Sequence, residues 1–133
     1  MREIKFRGKR LDNGEWLYGS LVILNGRYFI FDDANRHEVD PTTVGEFTGL
    51  KDRNGKEVYE GDIIRFSNPY LIISQGKQSF GMVKYYDALA GFALYNSSED
   101  KFPMECDWLK IDGSTKVFGN IHDNPEFLKG GEQ

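Results

Sequence analysis

The sequence is poor in the residues that build covalent cross-links and metal sites. Its 133 residues include only one cysteine, Cys106, and two histidines, His37 and His122. A single cysteine cannot form an intramolecular disulfide, and it cannot supply the ligand set of a cysteine-based zinc site. We therefore expect a protein of a reducing cytoplasm that holds no metal and no cofactor.

Long apolar runs are also absent. No segment approaches the ~18 consecutive apolar residues that a membrane span requires. The basic start, MREIKFRGKR, is not followed by the apolar core of a signal peptide. We expect a protein that is neither exported nor bound to a membrane.

What the chain does contain is typical of one soluble, strand-rich domain. Hydrophobic residues make up 39% of the sequence, with ten phenylalanines and seven tyrosines, and aromatic residues favour strands. The net charge is −4, yet residues 1–10 carry five basic residues against Glu3. An acidic body with a basic first segment is not the usual charge distribution of a nucleic-acid-binding protein.

Three Asn-Gly pairs, at residues 13–14, 25–26 and 54–55, separate segments of alternating polarity and predict three type I′ hairpins. The alternation predicts strands over residues 3–9, 15–24, 27–31, 44–50, 62–66, 70–74, 80–86, 92–96, 106–111 and 115–118. It also predicts a solvent-exposed basic face on the first strand and a second strand that is buried on both faces.

The predicted architecture is mainly β. An N-terminal antiparallel meander over residues 1–41 precedes a small barrel over residues 42–133, and both parts belong to one domain. The acidic segment DDANRHEVDP, residues 32–41, is predicted to be the loop between them. Asn124-Pro125-Glu126 predicts one short helical turn through Leu128, because asparagine caps a helix and proline fits its first position.

Three blocks of sequence resemble the YopX proteins of phages and prophages. They are REIKFRGK at residues 2–9, FTGLKDRNGKEVYEGDIIRF at 47–66 and VFGNIHDNPEFL at 117–128. The resemblance implies a mainly β protein with an SH3-like barrel, a phage or prophage origin and no established biochemical activity. Most of the matching residues are types that turns and caps require, so the resemblance assigns no catalytic role to any residue of this chain. The matching residues include Gly49, Asp52, Gly55, Gly61, Asp62, Gly119, Asn120, Asn124 and Pro125.

Two groups of residues have the side-chain chemistry of a possible site. Cys106, His37 and His122 include a nucleophile and bases, but none lies in a nucleophile motif, and a lone cysteine is more often a small core residue. The acidic cluster of Asp32, Asp33, Glu38 and Asp40 has cation-ligand chemistry without the spacing of a calcium loop. A solvated connector is the better interpretation of that cluster.

Basic and aromatic residues give a hypothesis of binding. A basic strand beside exposed aromatic rings is typical of surfaces that bind single-stranded nucleic acid. The predicted binding residues are Arg2, Lys5, Arg7, Lys9, Tyr85 and Tyr86. Edge-strand protection and core packing are the stronger explanation of the same residues.

The favoured prediction is therefore a protein-interaction module without enzymatic activity. Its partner would be a host or phage protein, or a second copy of the chain, because small β domains offer edges and grooves to extended segments. Nucleic-acid binding through the basic first strand is the alternative. An enzyme with an unrecognised site is the second alternative.

Overall fold

A computed structural model of the protein describes residues 3–66, 79–95, 103, 109 and 115–126. Within these residues the regular secondary structure is almost entirely β. The strands are β1 (Phe6–Lys9), β2 (Trp16–Leu24), β3 (Arg27–Asp32), β4 (Asn35–Val39), β5 (Gly45–Lys51), β6 (Glu57–Tyr59), β7 (Asp62–Phe66), β8 (Ser79–Tyr86), β9 (Gly91–Tyr95) and β10 (Lys116–Asn120). Two short 3₁₀ helices are η1 (Pro41–Thr43) and η2 (Asp87–Leu89).

The strands form two antiparallel sheets. One has the order β4-β3-β2-β1-β5-β6, and the other has the order β10-β7-β8-β9. By contact, the chain divides into two compact units, Met1–Gly49 and Leu50–Gln133. The mainly β prediction is thus confirmed.

The three Asn-Gly pairs all lie in hairpins, but only one forms the predicted tight turn. At Asn25-Gly26 both residues have positive φ, 52° and 77°, as a type I′ turn requires. In the other two pairs only the glycine has positive φ, and the loops are longer. The type I′ prediction is therefore right for one hairpin and wrong for two.

Strands β1 to β4 of the first unit form a meander in which the end of β4 returns to the end of β1. Val39 at the end of β4 forms a bridge with Arg10, just after β1. Small residues permit this close packing: Val39 side-chain carbons lie 3.1 Å from the position that a Cβ would take at Gly8. Ile30 and Val39 are fully buried and form the interior of this unit.

Two sequence predictions for this unit are wrong. Residues 35–39 of the predicted acidic loop form strand β4, because each pairs in register with β3. Strand β2 is not buried on both faces, since Tyr18, Ile23 and Leu24 are exposed. The apolar composition of β2 therefore does not reflect burial.

In the second unit the four-stranded sheet is packed on both faces. One cluster of buried residues lies against one face and a second, smaller cluster lies against the opposite face, because successive strand residues point to opposite sides. The first consists of Val58, Ile64, Val83, Phe92, Leu109 and Val117. The second consists of Met82, Ala93 and Tyr95, with Tyr86 and Ile121 against it.

Several predicted elements of the second half lie outside the residues that the structure describes. They are the strands at 70–74 and 106–111, with Cys106, and all of the helical turn beyond Glu126. Over its described residues the four-stranded sheet is open, and no closed barrel is formed there. The SH3-like barrel and the terminal helical turn stay predictions.

Candidate functional site

One face of the first unit carries most of its basic and aromatic side chains. The strand register defines this face, because residues directly opposite each other on paired strands share a side. We call it the cationic face. Its members are Lys5, Arg7, Lys9, Trp16, Tyr18, Ser20, Val22, Leu24, Arg27, Phe29, Phe31, Arg36, Glu38 and Phe47.

Charge is segregated on this face by the alternation of the strands. It bears five cationic side chains and the carboxylate of Glu38, and the carboxylate of Glu3 lies 3.7 Å from the Lys5 Nζ. Asp12, Asp32, Asp33, Asp40 and Glu46 lie on the opposite face of the strands or in the turns. A chain of net charge −4 thereby presents a locally positive surface.

Aromatic rings lie directly under these cations. The Arg7 guanidinium carbon is 4.7 Å from the centroid of the Trp16 ring, and the Lys9 Nζ is 5.3 Å from it. The Lys5 Nζ is 5.3 Å from the centroid of Phe47. Each is within the range of a cation–π attraction, so the face is an ordered array of cations on rings.

Phe29 carries two guanidinium groups. Those of Arg27 and Arg36 lie 5.4 Å and 5.1 Å from its ring centroid. Arg27 also donates two hydrogen bonds to Glu38, of 3.1 Å and 2.6 Å, and these lower the pKa of that carboxyl. No carboxylate among the described residues pairs with Arg36.

Large apolar side chains are exposed on the same face. Tyr18 is 48% exposed and Leu24 is 46% exposed, and both lie on β2 beside the cation–aromatic contacts. Arginine and tyrosine are enriched among the residues that dominate binding energy at protein interfaces. This combination of charge, rings and apolar area is typical of an interaction surface.

A shallow groove of about 270 Å³ adjoins the cationic face at β4. It is lined by Arg10, Leu11, Asp12, Arg36, His37 and Glu38. Arg10 donates to both carboxylate oxygens of Asp12, at 2.9 Å and 2.7 Å. The charges of that pair compensate each other within the groove wall.

The residues predicted for binding are placed unequally. Arg2 lies outside the described residues, and Lys5, Arg7 and Lys9 lie on the cationic face. The prediction that this basic face is solvent-exposed is wrong for Arg7, which is only 5% exposed. Its guanidinium packs on Trp16 and presents little surface to a phosphate backbone.

Tyr85 and Tyr86 belong to the second unit, and they point to opposite faces of β8. Tyr85 is 41% exposed and meets the edge of Phe92, with ring centroids 5.5 Å apart. Tyr86 packs against Tyr95 at 6.4 Å. The two tyrosines therefore do not form one stacking platform.

His37, Glu38 and Asp40 have structural contacts in the described part of the chain. His37 lies on β4 with its Nε2 4.0 Å from Asp32, whereas His122 lies in a turn of the second unit. Asp40 caps η1 by accepting from the Thr42 amide, and Glu38 pairs with Arg27. Among the described residues no group of three histidine, cysteine or acidic side chains is placed to hold a metal ion.

Sequence reasoning missed the cluster of Arg27, Phe29, Arg36 and Glu38. The Asn25-Gly26 turn fixes the β2–β3 register and therefore places Arg27 and Phe29 on one side. The missing step was recognition of β4, whose polar sequence NRHEV looks like a connector. Its arginine and glutamate at alternating positions were the available signal.

The polar motif residues of the second unit have a structural use. Asp52 is 6% exposed, and its carboxylate accepts from the amides of Asn54, Lys56 and Val117 at 2.8, 2.9 and 3.0 Å. Burial raises its pKa, but these bonds and the charge of Lys56 outweigh burial and hold the pKa below its usual value. Asp62, 1% exposed, accepts from the Tyr59 amide at 2.7 Å.

These contacts connect the central and closing blocks of sequence. Asp52 lies in the first and Val117 in the second, and Ile121 donates from its amide to the Gly61 carbonyl at 2.9 Å.

No helix in the described part of the chain has the length and hydropathy of a membrane span.

Comparison with known proteins agrees with this architecture. The crystal structure of protein EF1440 from Enterococcus faecalis is similar, with a TM-score of 0.56 and 24% sequence identity, over 96% of this chain and 99% of that one. No curated protein matches the chain. The family described as YopX protein matches residues 5–129. Since that match spans nearly the whole sequence, the chain belongs to the YopX family.

Proposed function

We propose that the protein is an interaction module that binds another protein through the cationic face of its first unit. The observation that carries this proposal is the exposure of Tyr18 and Leu24 beside the cation–aromatic contacts. Burial of those two side chains would supply apolar area, and the neighbouring cations would select an acidic partner surface.

The burial and pairing of two cations on this face favour a protein partner over nucleic acid. Arg7 is buried on Trp16, and Arg27 is neutralised by Glu38. A backbone-binding surface needs cations that reach phosphates, and affinity then falls steeply with salt. Nucleic-acid binding therefore stays the alternative, and Lys5, Lys9 and Arg36 are the cations that it would use.

The wider setting proposed for this module follows from the family. We place the protein among the accessory proteins of a phage or prophage, acting in the cytoplasm of the bacterial host on a host protein, a phage protein or a second copy. For the second half we propose an SH3-like barrel, which the four-stranded antiparallel sheet of the second unit supports.

A pull-down from host lysate tests the proposal when it includes matched variants. Tyr18→Ser and Leu24→Ser should each reduce recovery of the partner, because each removes exposed apolar area from the cationic face. Tyr85→Ser is the control, since Tyr85 is comparably exposed in the second unit. Recovery that is insensitive to the first two variants would refute the proposal, and recovery that nuclease abolishes would favour the alternative.

A further inference from the structure

The groove beside β4 lies where a strand ladder stops. The Asp40 amide donates to the Lys9 carbonyl at 2.8 Å, and the Leu11 amide donates to the Glu38 carbonyl at 3.1 Å. The chain then bends away, because the Gly14 amide donates back to the Arg10 carbonyl at 2.9 Å. The next position of the ladder would lie opposite Arg36. The segment that follows Leu11 therefore does not occupy it.

The main chain of Arg36 is directed toward this groove. Successive strand residues point their amide and carbonyl to alternate edges, and Asp40 and Glu38 bond to Lys9 at the end of β1 and to Leu11 just after it. Arg36 is two residues before Glu38, so its amide and carbonyl point to the same edge. Among the described residues no group bonds to them on that side.

The side chains of the groove favour a carboxylate. The charges of Arg10 and Glu38 are compensated by Asp12 and Arg27. The Arg36 guanidinium contacts only the Phe29 ring among the described groups, so its donors can form a bidentate pair. Leu11, 57% exposed, adds apolar surface at the rim of the groove.

We propose that an extended acidic segment of the partner protein adds to the edge of β4 at Arg36 and continues the ladder that Lys9 and Leu11 begin. This inference rests on the proposed function, and it names how the partner is held. Main-chain hydrogen bonds supply affinity in such strand addition, whereas a carboxylate on Arg36 and an apolar side chain on Leu11 select the sequence.

The probe is a short synthetic peptide that alternates glutamate and valine, titrated into the isotope-labelled full chain and followed by amide NMR. The largest shifts should occur at the amides of Leu11, Arg36 and Glu38, and hydrogen exchange at Arg36 should slow. Arg36→Gln should weaken binding about tenfold, because a charge-assisted pair is lost. Arg53→Gln, at an exposed arginine of the second unit, should leave binding unchanged.

Two further peptides separate the backbone contribution from the side-chain contribution. In the first peptide, alternate main-chain amides are N-methylated. This peptide keeps its side chains but cannot donate the main-chain hydrogen bonds of the ladder, so it should not bind with the methylated amides facing Arg36. A peptide that alternates lysine and valine keeps the backbone and should not bind, because its charge repels Arg36.

Equal binding of the methylated peptide, or shifts away from β4, would overturn the inference. So would a single-stranded oligothymidylate that shifts the same amides in a salt-dependent way when the acidic peptide does not. If the acidic peptide fails while partner recovery still depends on Tyr18 and Leu24, the proposed function stands and strand addition at β4 is wrong.

Discussion

The two units of this chain use polar residues in opposite ways. In the first unit, charged side chains such as those of Arg7 and Arg36 lie on aromatic rings along one face. In the second unit, the carboxylates of Asp52 and Asp62 are buried and accept main-chain amides that fix turns. The comparison teaches that the residues by which the family is recognised mainly hold the fold, whereas the surface suited to binding lies largely outside those blocks.

The largest effect is expected from Gly19→Ala in the first unit. A Cβ at this position would collide with the Phe31 carbonyl, which belongs to the paired strand and cannot move without breaking the ladder. We expect a loss of about 3 kcal/mol in the free energy of unfolding, measured by urea denaturation. Ser20→Ala, at the adjacent exposed position, is the control. An equal change in the free energy of unfolding for Gly19→Ala and Ser20→Ala would contradict a close approach of β2 to β3 at Gly19.

The next largest effect is expected from Asp52→Asn in the second unit. The substitution removes the charge that three amides share and turns one acceptor into a donor that faces the Val117 amide. The free energy of unfolding should fall by about 2 kcal/mol. Asp87→Asn, at an exposed aspartate, should change it little. If Asp52→Asn unfolds like the unmodified chain, the carboxylate does not connect the two sequence blocks.

The pH dependence of stability should sharpen the contrast between the units. The pKa of Asp52 is lower in the folded chain than its unfolded value of about 3.9, so its stabilisation is complete above that value. It is lost as the pH falls through the folded pKa. The stability difference between the unmodified chain and Asp52→Asn should therefore shrink below about pH 4. A difference that stays constant to lower pH would contradict the charged role.

The smallest effect on stability is expected from Arg36→Gln. Its guanidinium is exposed and stacks on Phe29, and exposed contacts of this kind contribute about 0.5 kcal/mol. The free energy of unfolding should be nearly unchanged in urea denaturation, although peptide binding falls. A large loss of stability would show that Arg36 holds the fold as Asp52 does.

Much of the fold could be predicted from the sequence, and the reason differs between elements. The consecutive apolar residues Ile63 and Ile64 and the turn residues before them predicted β7 with its observed bounds, because a strand that is buried on both faces carries consecutive apolar residues. Strand β4 was missed because only Val39 of its residues is buried, and the rest read as a polar loop. Its pairing with β3 depends on register, which a single polar segment does not reveal.

The candidate site was predicted only in part, for a related reason. The basic residues of β1 were identified from their alternation, but the aromatic partners assigned to them, Tyr85 and Tyr86, belong to the other unit. The contacts of Arg7 with Trp16 and of Arg36 with Phe29 depend on strand pairing across the sheet. Sequence alone indicates the chemistry of these side chains but does not determine which of them meet.

The most direct test of the contrast compares two matched double variants for partner recovery and for stability. Tyr18→Ser with Arg36→Gln alters an exposed tyrosine and an exposed arginine of the first unit, and Tyr85→Ser with Arg53→Gln alters the same pair of residue types in the second. We predict that the first double variant loses the partner while it unfolds at nearly the same urea concentration as the unmodified chain, and that the second retains the partner. Retention by the first variant and loss by the second would contradict the assignment of binding to the cationic face.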